Sequence, residues 1–362
     1  MAGIAPLLDK RLVICLGPGG VGKTTTSAAL ALSAAAAGRR AAVITVDPAR
    51  RLKDTLGLRA LSGEPQRVRV DRTTAFEALA LDTKRIFDAL VDRFAPSREI
   101  AARVRANRLY QELSNELAGS AEYMAMEKLH ELIEQASYQL LVVDTPPSTH
   151  VRDLLAAPNR LTNLLASRAV SALKAPSSLL TGGRSRIGRA ALSALLRALQ
   201  RWSGLDLLAD LSDFVEGFEG MLDGFRQRAT DINRVLRAPT TAFVLVTTLD
   251  AHTIETTIAL YKELAVGGFP VAGVIANRKV SFTAPKALDA GLTAWAEPLR
   301  SKLRANYRDL AELSRRDRLA IEQLETSTRA PLLGAVPATT TPPTSLEGLR
   351  WFADALGAPD RR

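Results

Sequence analysis

The chain has very few of the residues that build disulfides and metal centres. Its 362 residues include one cysteine and three histidines. One cysteine cannot pair within a chain, so a disulfide framework is excluded. A zinc site made of several cysteines is excluded for the same reason, and the scattered histidines His130, His150 and His252 do not suggest another metal cage.

Long uncharged apolar segments are also missing. No such stretch reaches the roughly 18–20 residues that span a bilayer. The first apolar run, Leu12–Leu16, is too short for a signal peptide. We therefore expect a soluble, cytoplasmic protein, for which peripheral association with a membrane remains an alternative. Apolar residues still make up 47% of the chain, which is enough for a large core and excludes a mostly disordered polypeptide.

Acidic residues are absent from one long segment. The net charge is +10, and the segment Leu154–Leu205 contains eight basic residues and no Asp or Glu. The rest of the chain is nearly neutral, so the excess charge belongs to this segment and is not a general sign of nucleic-acid binding. Trp202 is its only aromatic residue, which leaves little for bases to stack on.

Short apolar segments alternate with helical patterns along the chain. Near-continuous apolar runs bounded by Gly, Pro or Asp predict buried strands of a parallel sheet. These runs are Arg11–Leu16, Ala41–Val46, Gln139–Val143, Thr241–Thr247 and Pro270–Ala276. We expect a single α/β domain over residues 1–362, with a doubly wound, mostly parallel sheet and two mainly helical insertions at residues 83–135 and 152–237.

The loop after the first predicted strand carries a phosphate-binding motif. The segment Gly17–Thr24 reads G-P-G-G-V-G-K-T and lies between a strand and a helix, as the P-loop motif of an ATPase requires. Backbone N–H groups and the positive helix end bind phosphate oxygens. We expect Lys23 to reach the β- and γ-phosphates, Thr24 to ligate Mg²⁺ and Thr25 to face the α-phosphate. The candidate ATP-binding residues are Gly19, Gly20, Val21, Gly22, Lys23, Thr24 and Thr25.

Two aspartates follow predicted strands. Asp144 follows four apolar residues, a pattern typical of the acid that supports Mg²⁺ in ATPases. Asp47 follows Ala41–Val46 and precedes Pro48, where a carboxylate can position the attacking water. Either aspartate can instead be a helix cap or a turn former.

These motifs together resemble the ArsA-type anion-transporting ATPases, which include ATPases that target tail-anchored membrane proteins and are related to MinD and ParA. The resemblance rests on Gly17–Thr25, Asp47–Ala49, Gly119–Glu122, Asp144–His150, Asn277 and Val336–Pro337. It implies that Asp47 is the catalytic acid in switch I and that Asp144–His150 is switch II. It also implies that Asn277 contacts adenine and that Pro337 borders the base, although Asn277 can also be an ordinary turn residue.

One position departs from the family. The family's loop usually begins G-K-G-G, and its first lysine reaches the partner's phosphates across a dimer; this chain has Pro18 there. A proline side chain carries no charge and its backbone nitrogen donates no hydrogen bond. The chain is therefore expected to form a homodimer in which Arg50 or Arg51 substitutes, or a heterodimer with a lysine-bearing relative. Both arginines can equally be solvated surface charges. With a single Cys15, neither arsenite capture nor a zinc-clamped dimer is expected.

Two functions remain open from the sequence. In the first, ATP hydrolysis drives a switch that binds a hydrophobic protein client or a membrane-associated partner. Apolar residues at 3-4 spacing over residues 208–236, widened by Leu207, Phe214 and Met221, indicate a client groove or an ordinary core face. In the second, a partition or positioning ATPase binds DNA or an anionic membrane through the basic segment. A metabolic kinase is a third class, but the apolar insertions do not suggest its substrate pocket.

Overall fold

The predicted strands form the centre of an eight-stranded sheet in the computed structural model. The described residues are 3–46, 51–107, 110–111, 120–135, 137–146, 222–282, 295–340 and 343–358. The sheet order is β3-β4-β2-β5-β1-β6-β7-β8. The strands are β1 (Leu12–Leu16), β2 (Ala41–Thr45), β3 (Gln66–Arg69), β4 (Ala75–Ala80), β5 (Leu140–Asp144), β6 (Thr241–Thr247), β7 (Val271–Lys279) and β8 (Leu332–Pro337).

All of the described strand pairs except one are parallel. The exception is β3 with β4, at one edge of the sheet. Strands β1, β2, β5 and β6 consist entirely of buried residues, because helices and neighbouring segments cover both faces of a sheet of this kind. The α/β fold with a mostly parallel sheet is thus confirmed, and the five predicted strands are present within three residues of their expected ends.

The described helices connect and cover the strands. They are α1 (Ala5–Leu8), α2 (Lys23–Ala36), α3 (Arg51–Thr55), α4 (Thr83–Phe94), α5 (Arg98–Ala106), α6 (Ser120–Glu134), α7 (Leu222–Arg237), α8 (Ala251–Val266), α9 (Glu297–Thr328) and α10 (Leu346–Gly357). Helix α2 is buried along most of its length because its alanines and serines let it approach the sheet closely. No helix within the described ranges is long and apolar enough to cross a membrane.

The chain divides into two units. The sheet unit comprises Met1–Leu81, Gln135–Val151 and Leu236–Arg362. The helical unit comprises Asp82–Glu134 and Arg152–Val235, of which residues 152–221 lie outside the described part. Residues 208–221, about half of the 208–236 apolar pattern, therefore lie outside it as well, and Ala229, Ile232 and Leu236 of α7 are buried.

The core of the sheet unit contains the single cysteine. Cys15 lies on β1 with no exposed surface, and burial raises the pKa of its thiol to about 12. A thiol in this state behaves as a small apolar side chain. Cys15 is therefore a core residue, and its thiol has no part in the chemistry of the neighbouring loop.

A buried ion pair joins α6 and α7 in the helical unit. The Arg228 guanidinium donates from Nε to Glu127 at 2.8 Å and from Nη1 to Glu134 at 2.8 Å. Nη1 also lies 2.7 Å from Nδ1 of His130, which must then be the unprotonated ring nitrogen. Glu127 and Arg228 are 3% and 5% exposed, so each compensates the other's charge away from water. Burial outweighs the attraction of Arg228 and raises the pKa of Glu127 to about 7.

Replacing Arg228 is expected to destabilise the helical unit. Arg228→Met leaves the Glu127 carboxylate buried without its cation, which costs about 3–5 kcal/mol in free energy of unfolding. Removing the Arg228 cation raises the pKa of Glu127 further above about 7, because the guanidinium lowers it in the original chain. The loss should therefore be largest at pH values well above 7 and should shrink as the pH falls, because the carboxyl of the variant then takes up a proton. Urea titrations followed by circular dichroism measure it.

Arg234→Met is the matched control on the same helix. Arg234 pairs with Asp231 at 2.9 Å, but its side chain is 72% exposed, so its loss should change the stability by less than about 1 kcal/mol. Equal effects of the two substitutions at high pH would contradict the account of the buried pair.

Candidate functional site

The phosphate loop connects the end of β1 to the start of α2. Its last glycine, Gly22, has φ +95°, a left-handed conformation that glycine adopts without strain. A Cβ atom at Gly22 would lie 2.2 Å from Nδ2 of Asn277, so no larger residue fits there. Conformation and space therefore both require a glycine at this position of the motif.

The lysine of the motif lies against the loop. Lys23 is 6% exposed, and its Nζ donates hydrogen bonds to the carbonyl oxygens of Gly17 at 2.9 Å and Pro18 at 2.8 Å. These bonds keep the ammonium group at the loop, where a bound phosphate would meet both the cation and the backbone N–H groups of the helix start. Pro18 takes part in this contact through its carbonyl group, which any residue could supply.

The Asp144 carboxylate joins the loop to β2. Its Oδ2 accepts hydrogen bonds from the hydroxyl groups of Thr24, at 2.8 Å, and Thr45, at 2.9 Å. Asp144 has no exposed surface, so these charge-assisted bonds form away from water, where they are strong. Next in sequence, the Thr145 hydroxyl donates to the carbonyl oxygen of Cys15 at 2.7 Å. The ends of β1, β2 and β5 are thereby tied to the start of α2.

The sheet register explains why these groups meet. Asp144 is the partner of Cys15 on β1 and of Thr45 on β2, since β5 lies between these two strands. Parallel strands bring their carboxyl ends to one edge, which is where ligands bind in open α/β sheets. Thr45 was not among the predicted site residues, because a threonine in a strand is ordinary and only the register reveals its partner.

The oxygen atoms of Thr24 and Asp144 are suited to magnesium. Mg²⁺ takes oxygen ligands, usually binds through one or two protein groups, and keeps water and phosphate oxygens around it. In the described part of the chain no three His, Cys, Asp or Glu side chains cluster as a self-sufficient metal cage. A hydroxyl group 2.8 Å from a buried carboxylate beside a phosphate loop fits a cation that is held partly by its nucleotide.

Asn277 reaches the phosphate loop from β7. Its Nδ2 donates to the carbonyl oxygen of Val21 at 2.8 Å, and its Oδ1 accepts from the backbone N–H of Arg278 at 2.9 Å. The pairing of β7 with β8 is irregular between Ala276 and Lys279, and Arg278 has φ +58°. Bulges of this kind redirect side chains near active sites. This one turns a buried amide toward the loop.

The other predicted positions fall into two groups. Pro337 ends β8, pairs with Lys279 of β7 and is exposed. Thr25 lies in the first turn of α2, and Arg51 starts α3 on the surface. Asp47, Arg50, Gly119 and Pro147–His150 lie outside the described residues, so the predicted switch acid and most of switch II have no structural account.

Asn277→Asp tests whether the amide supports the loop. The substitution replaces the donor with a carboxylate facing the Val21 carbonyl oxygen, so we expect the affinity for ATP to fall about tenfold, as for a lost hydrogen bond with a repulsive contact. Affinity for inorganic tripolyphosphate should fall similarly, because this ligand has no base to contact. Isothermal titration calorimetry measures both.

Arg278→Gly is the control for this measurement. Glycine keeps the positive φ of the bulge without strain, so both affinities should stay within about twofold of the original chain. If Asn277→Asp weakened ATP but left tripolyphosphate unchanged, Asn277 would act on the base alone.

Comparisons with known proteins identify the family of the chain. The sequence model of one family, described as anion-transporting ATPase (ArsA_ATPase), matches residues 10–289. Among curated relatives, ATPase get3 of Aspergillus terreus is 32% identical over 157 residues, which cover 43% of this chain and 45% of the relative. The match thus spans about half the length of that relative.

Two further relatives match over longer regions. ATPase GET3 of Malassezia globosa is 25% identical over 267 residues, which cover 74% of this chain and 72% of the relative. ATPase GET3A of Arabidopsis thaliana is 26% identical over 282 residues, with 76% and 70% covered. Because the family model spans well over half of the chain and includes the phosphate loop, Asp144 and Asn277, the chain belongs to the ArsA family of ATPases.

Proposed function

We propose that this ATPase is a nucleotide-driven switch, which couples binding and hydrolysis of Mg-ATP to binding of a hydrophobic protein client or a membrane-associated partner. The observation that carries the proposal is the position of the Asp144 carboxylate between Thr24 of the phosphate loop and Thr45 of β2. Groups that would sense the nucleotide are thereby joined to the strand that leads to Asp47.

The nucleotide half of the proposal follows from the loop. Backbone N–H groups of Gly19–Gly22 and the start of α2 would bind the phosphates, and Lys23 would neutralise part of their charge. Mg²⁺, held by the Thr24 hydroxyl and supported by Asp144, would neutralise charge that develops on the β- and γ-phosphate oxygens. Asp47 would orient the attacking water and accept its proton. Asn277 would hold the loop in shape through Val21.

The switching half follows from chain continuity. Thr45 lies two residues before Asp47, and Asp144 and Thr145 lead directly into the Pro147–His150 segment. Both segments begin at residues fixed by the buried hydrogen bonds of Asp144 and Thr145. A change in cation or γ-phosphate at Thr24 would shift these anchor points, and ordering or release of flanking segments is the usual response of nucleotide switches.

The proposed binding of a client is based on the apolar pattern of the helical unit. The 208–236 apolar pattern continues into α7, where Ala229 and Ile232 are buried. This end of the pattern is therefore core, and the proposed client surface is confined to the part between Leu207 and Met221. The relatives whose names read ATPase GET3 support an ATPase of this family, but their names do not specify a client.

Pro18 determines how hydrolysis would be activated. Since its side chain supplies no cation, we propose that the chain is a weak ATPase alone and works in the cytoplasm as a dimer. The partner is a lysine-bearing relative, or a second copy in which Arg50 or Arg51 supplies the charge. An arginine acting on a transferring phosphate has the required chemistry.

ATP turnover of the purified chain tests this proposal. Pro18→Lys should raise kcat at least about tenfold and make turnover rise with protein concentration, because the new cation can act across a dimer. Steady-state phosphate release at several protein concentrations measures both. Lys23→Ala is the inactive control, since it removes the cation within the loop.

Two arginine variants distinguish between the two proposed partners, a second copy and a lysine-bearing relative. If Arg50→Ala or Arg51→Ala removes the remaining turnover of the original chain, the second copy is supported; if neither does, the lysine-bearing relative is. Robust, concentration-dependent turnover of the original chain that survives both substitutions would contradict the proposal.

A further inference from the structure

Helix α9 extends beyond the part of the fold that buries it. The helix spans Glu297–Thr328, 32 residues, or about 48 Å. Its buried residues are Asp317, Ala320, Leu324 and Thr328, all in the second half. There it packs on α8 and β7, and Oδ2 of Asp317 accepts a hydrogen bond from the N–H of Val280 at 2.8 Å. None of residues 297–316 is buried.

The face that packs in the second half of α9 stays mostly apolar in the first half. Residues three or four apart follow one face along the whole helix: Leu299, Leu303, Tyr307, Leu310, Leu313, Asp317, Ala320 and Leu324. Leu299 is 42% and Leu310 39% exposed, and Trp295, just before the helix, is 51% exposed. The exposed Asn306 is a polar interruption of this face between Leu303 and Leu310.

Another aromatic side chain covers the middle of this face. Phe282 packs on Tyr307 with ring centroids 5.4 Å apart, and its backbone N–H donates to the Ser314 hydroxyl at 3.1 Å. Residues 280–282, which directly follow β7, therefore lie against α9 between Tyr307 and Asp317. Among the described residues, the largest apolar part of this face without such a contact is Trp295–Leu303, about 14 Å of chain at the helical rise, in which Trp295 and Leu299 are exposed and Leu303 is partly exposed; Leu310 adds to it beyond Asn306.

Basic side chains border this uncovered part. Between Pro298 and Arg308 there are four basic residues and no acidic one, and Glu297 and Asp309 at the two ends reduce the net charge of residues 295–310 to +2. In an ideal helix, Arg300 and Lys302 flank the apolar face on opposite sides. Lys302 is exposed. Arg308 is exposed too and lies on the far side of the helix. It is therefore roughly 10 Å from any surface that the apolar face contacts, a distance of about one Debye length at 0.1 M salt.

One of these arginines also holds the backbone of Trp295. Arg300 pairs with Glu297 at 3.2 Å and donates to the carbonyl oxygen of Trp295 at 3.1 Å. Both bonds lie within the first turn of α9 and the residues just before it. The backbone of Trp295 is thereby held at the start of the helix, next to the apolar face.

These features together identify the class of partner. A second copy would bring like charges together along the face, which opposes pairing. The uncovered apolar part is about 14 Å long and one helix face wide. Its area is therefore much smaller than the roughly 1,200 Å² that specific protein interfaces bury. An interfacial helix needs no such area, because leucines and an indole enter the headgroup region while Lys and Arg extend their charges to anionic headgroups.

We propose that residues 295–310 form a docking surface for an anionic lipid bilayer, which we call the α9 tip. Trp295, Leu299 and Leu303 enter the interface, Lys302 contacts the headgroups, and Arg308 is attracted to them across the helix. The inference does not depend on the proposed switch, and it concerns a surface separate from the basic segment Leu154–Leu205. Binding through the α9 tip would be weak and reversible, since it combines a few apolar side chains with a few charges.

Vesicle co-sedimentation of the full chain tests the proposal. We expect binding to vesicles of phosphatidylcholine with about one third phosphatidylglycerol, little binding to phosphatidylcholine alone, and weakening as salt rises to about 0.15 M. Lys302→Glu/Arg308→Glu should lower partitioning at least about tenfold, because it reverses two charges at or near the surface. Leu299→Ser/Leu303→Ser should lower it by a similar factor.

The control reverses the same number of charges elsewhere. Arg59→Glu/Arg72→Glu changes two exposed arginines in the connections that precede and follow β3, an edge strand, whereas α9 packs on β7 toward the other edge. This variant should bind within about twofold of the original chain. Since every variant keeps Leu154–Leu205, any binding through that segment would remain in all of them.

Indole fluorescence gives a second readout. In Trp202→Phe/Trp351→Phe the emission comes from Trp295 alone, because the chain has three tryptophans. Its spectrum should shift to shorter wavelength with anionic vesicles and be quenched by brominated lipid chains, as for an indole entering the interface.

Three results would overturn the proposal. The first is no binding to anionic vesicles at low salt. The second is equal loss of binding in the control and in the α9 tip variants, which would show a response to overall charge only. The third is self-association in sedimentation velocity that Leu299→Ser/Leu303→Ser abolishes while vesicle binding stays unchanged, which would assign the α9 tip to a second copy.

Discussion

The buried carboxylate of Asp144 is the group on which the site depends. A carboxylate without exposed surface needs hydrogen-bond donors around it, and Thr24 and Thr45 supply two, both to Oδ2. These two hydroxyl groups come from segments with different tasks: one starts the helix behind the phosphate loop and the other ends the strand before Asp47. The two bonds to one buried oxygen atom therefore also fix the distance between the loop and the end of β2.

The same reasoning explains how other parts of the sheet act on the loop. Because β5 lies between β1 and β2, Asp144 faces both, and Thr145 adds a bond to the β1 carbonyl group of Cys15. From the other side, the bulge in β7 sends the Asn277 amide to Val21. The loop thus has two supports, a carboxylate on one side and an amide on the other, and both depend on strand register. In the helical unit, Arg228 and Glu127 similarly hold α6 and α7 by compensating buried charges.

A feature could be predicted from the sequence where its physical constraint acts on residues that are close together in the chain. The position of the Gly17–Thr24 loop between a strand and a helix, and that of Asp144 at the end of a strand, could be predicted because the P-loop motif fixes residue types at a set spacing. The five central strands were predictable because burial on both faces makes them continuously apolar. Strand β3 was not, since Gln66, Arg67 and Arg69 are exposed at the sheet edge. The bonds of Thr45 and Asn277 link residues 99 and 256 positions from their partners, so no local pattern encodes them.

The central claim is that nucleotide state reaches the client surface through Thr45 and Asp144. The most direct measurement places a photo-crosslinking residue at Phe214 or Phe218 and records how much of a hydrophobic helical peptide it labels. The labelling is compared between two conditions, each with Mg²⁺: saturating ADP, and a saturating, slowly hydrolysed ATP analogue. The account predicts nucleotide-dependent labelling in the original chain and in Thr45→Ser, which keeps the hydroxyl group, and its loss in Thr45→Val. Labelling that is independent of nucleotide, or unchanged in Thr45→Val, would contradict it.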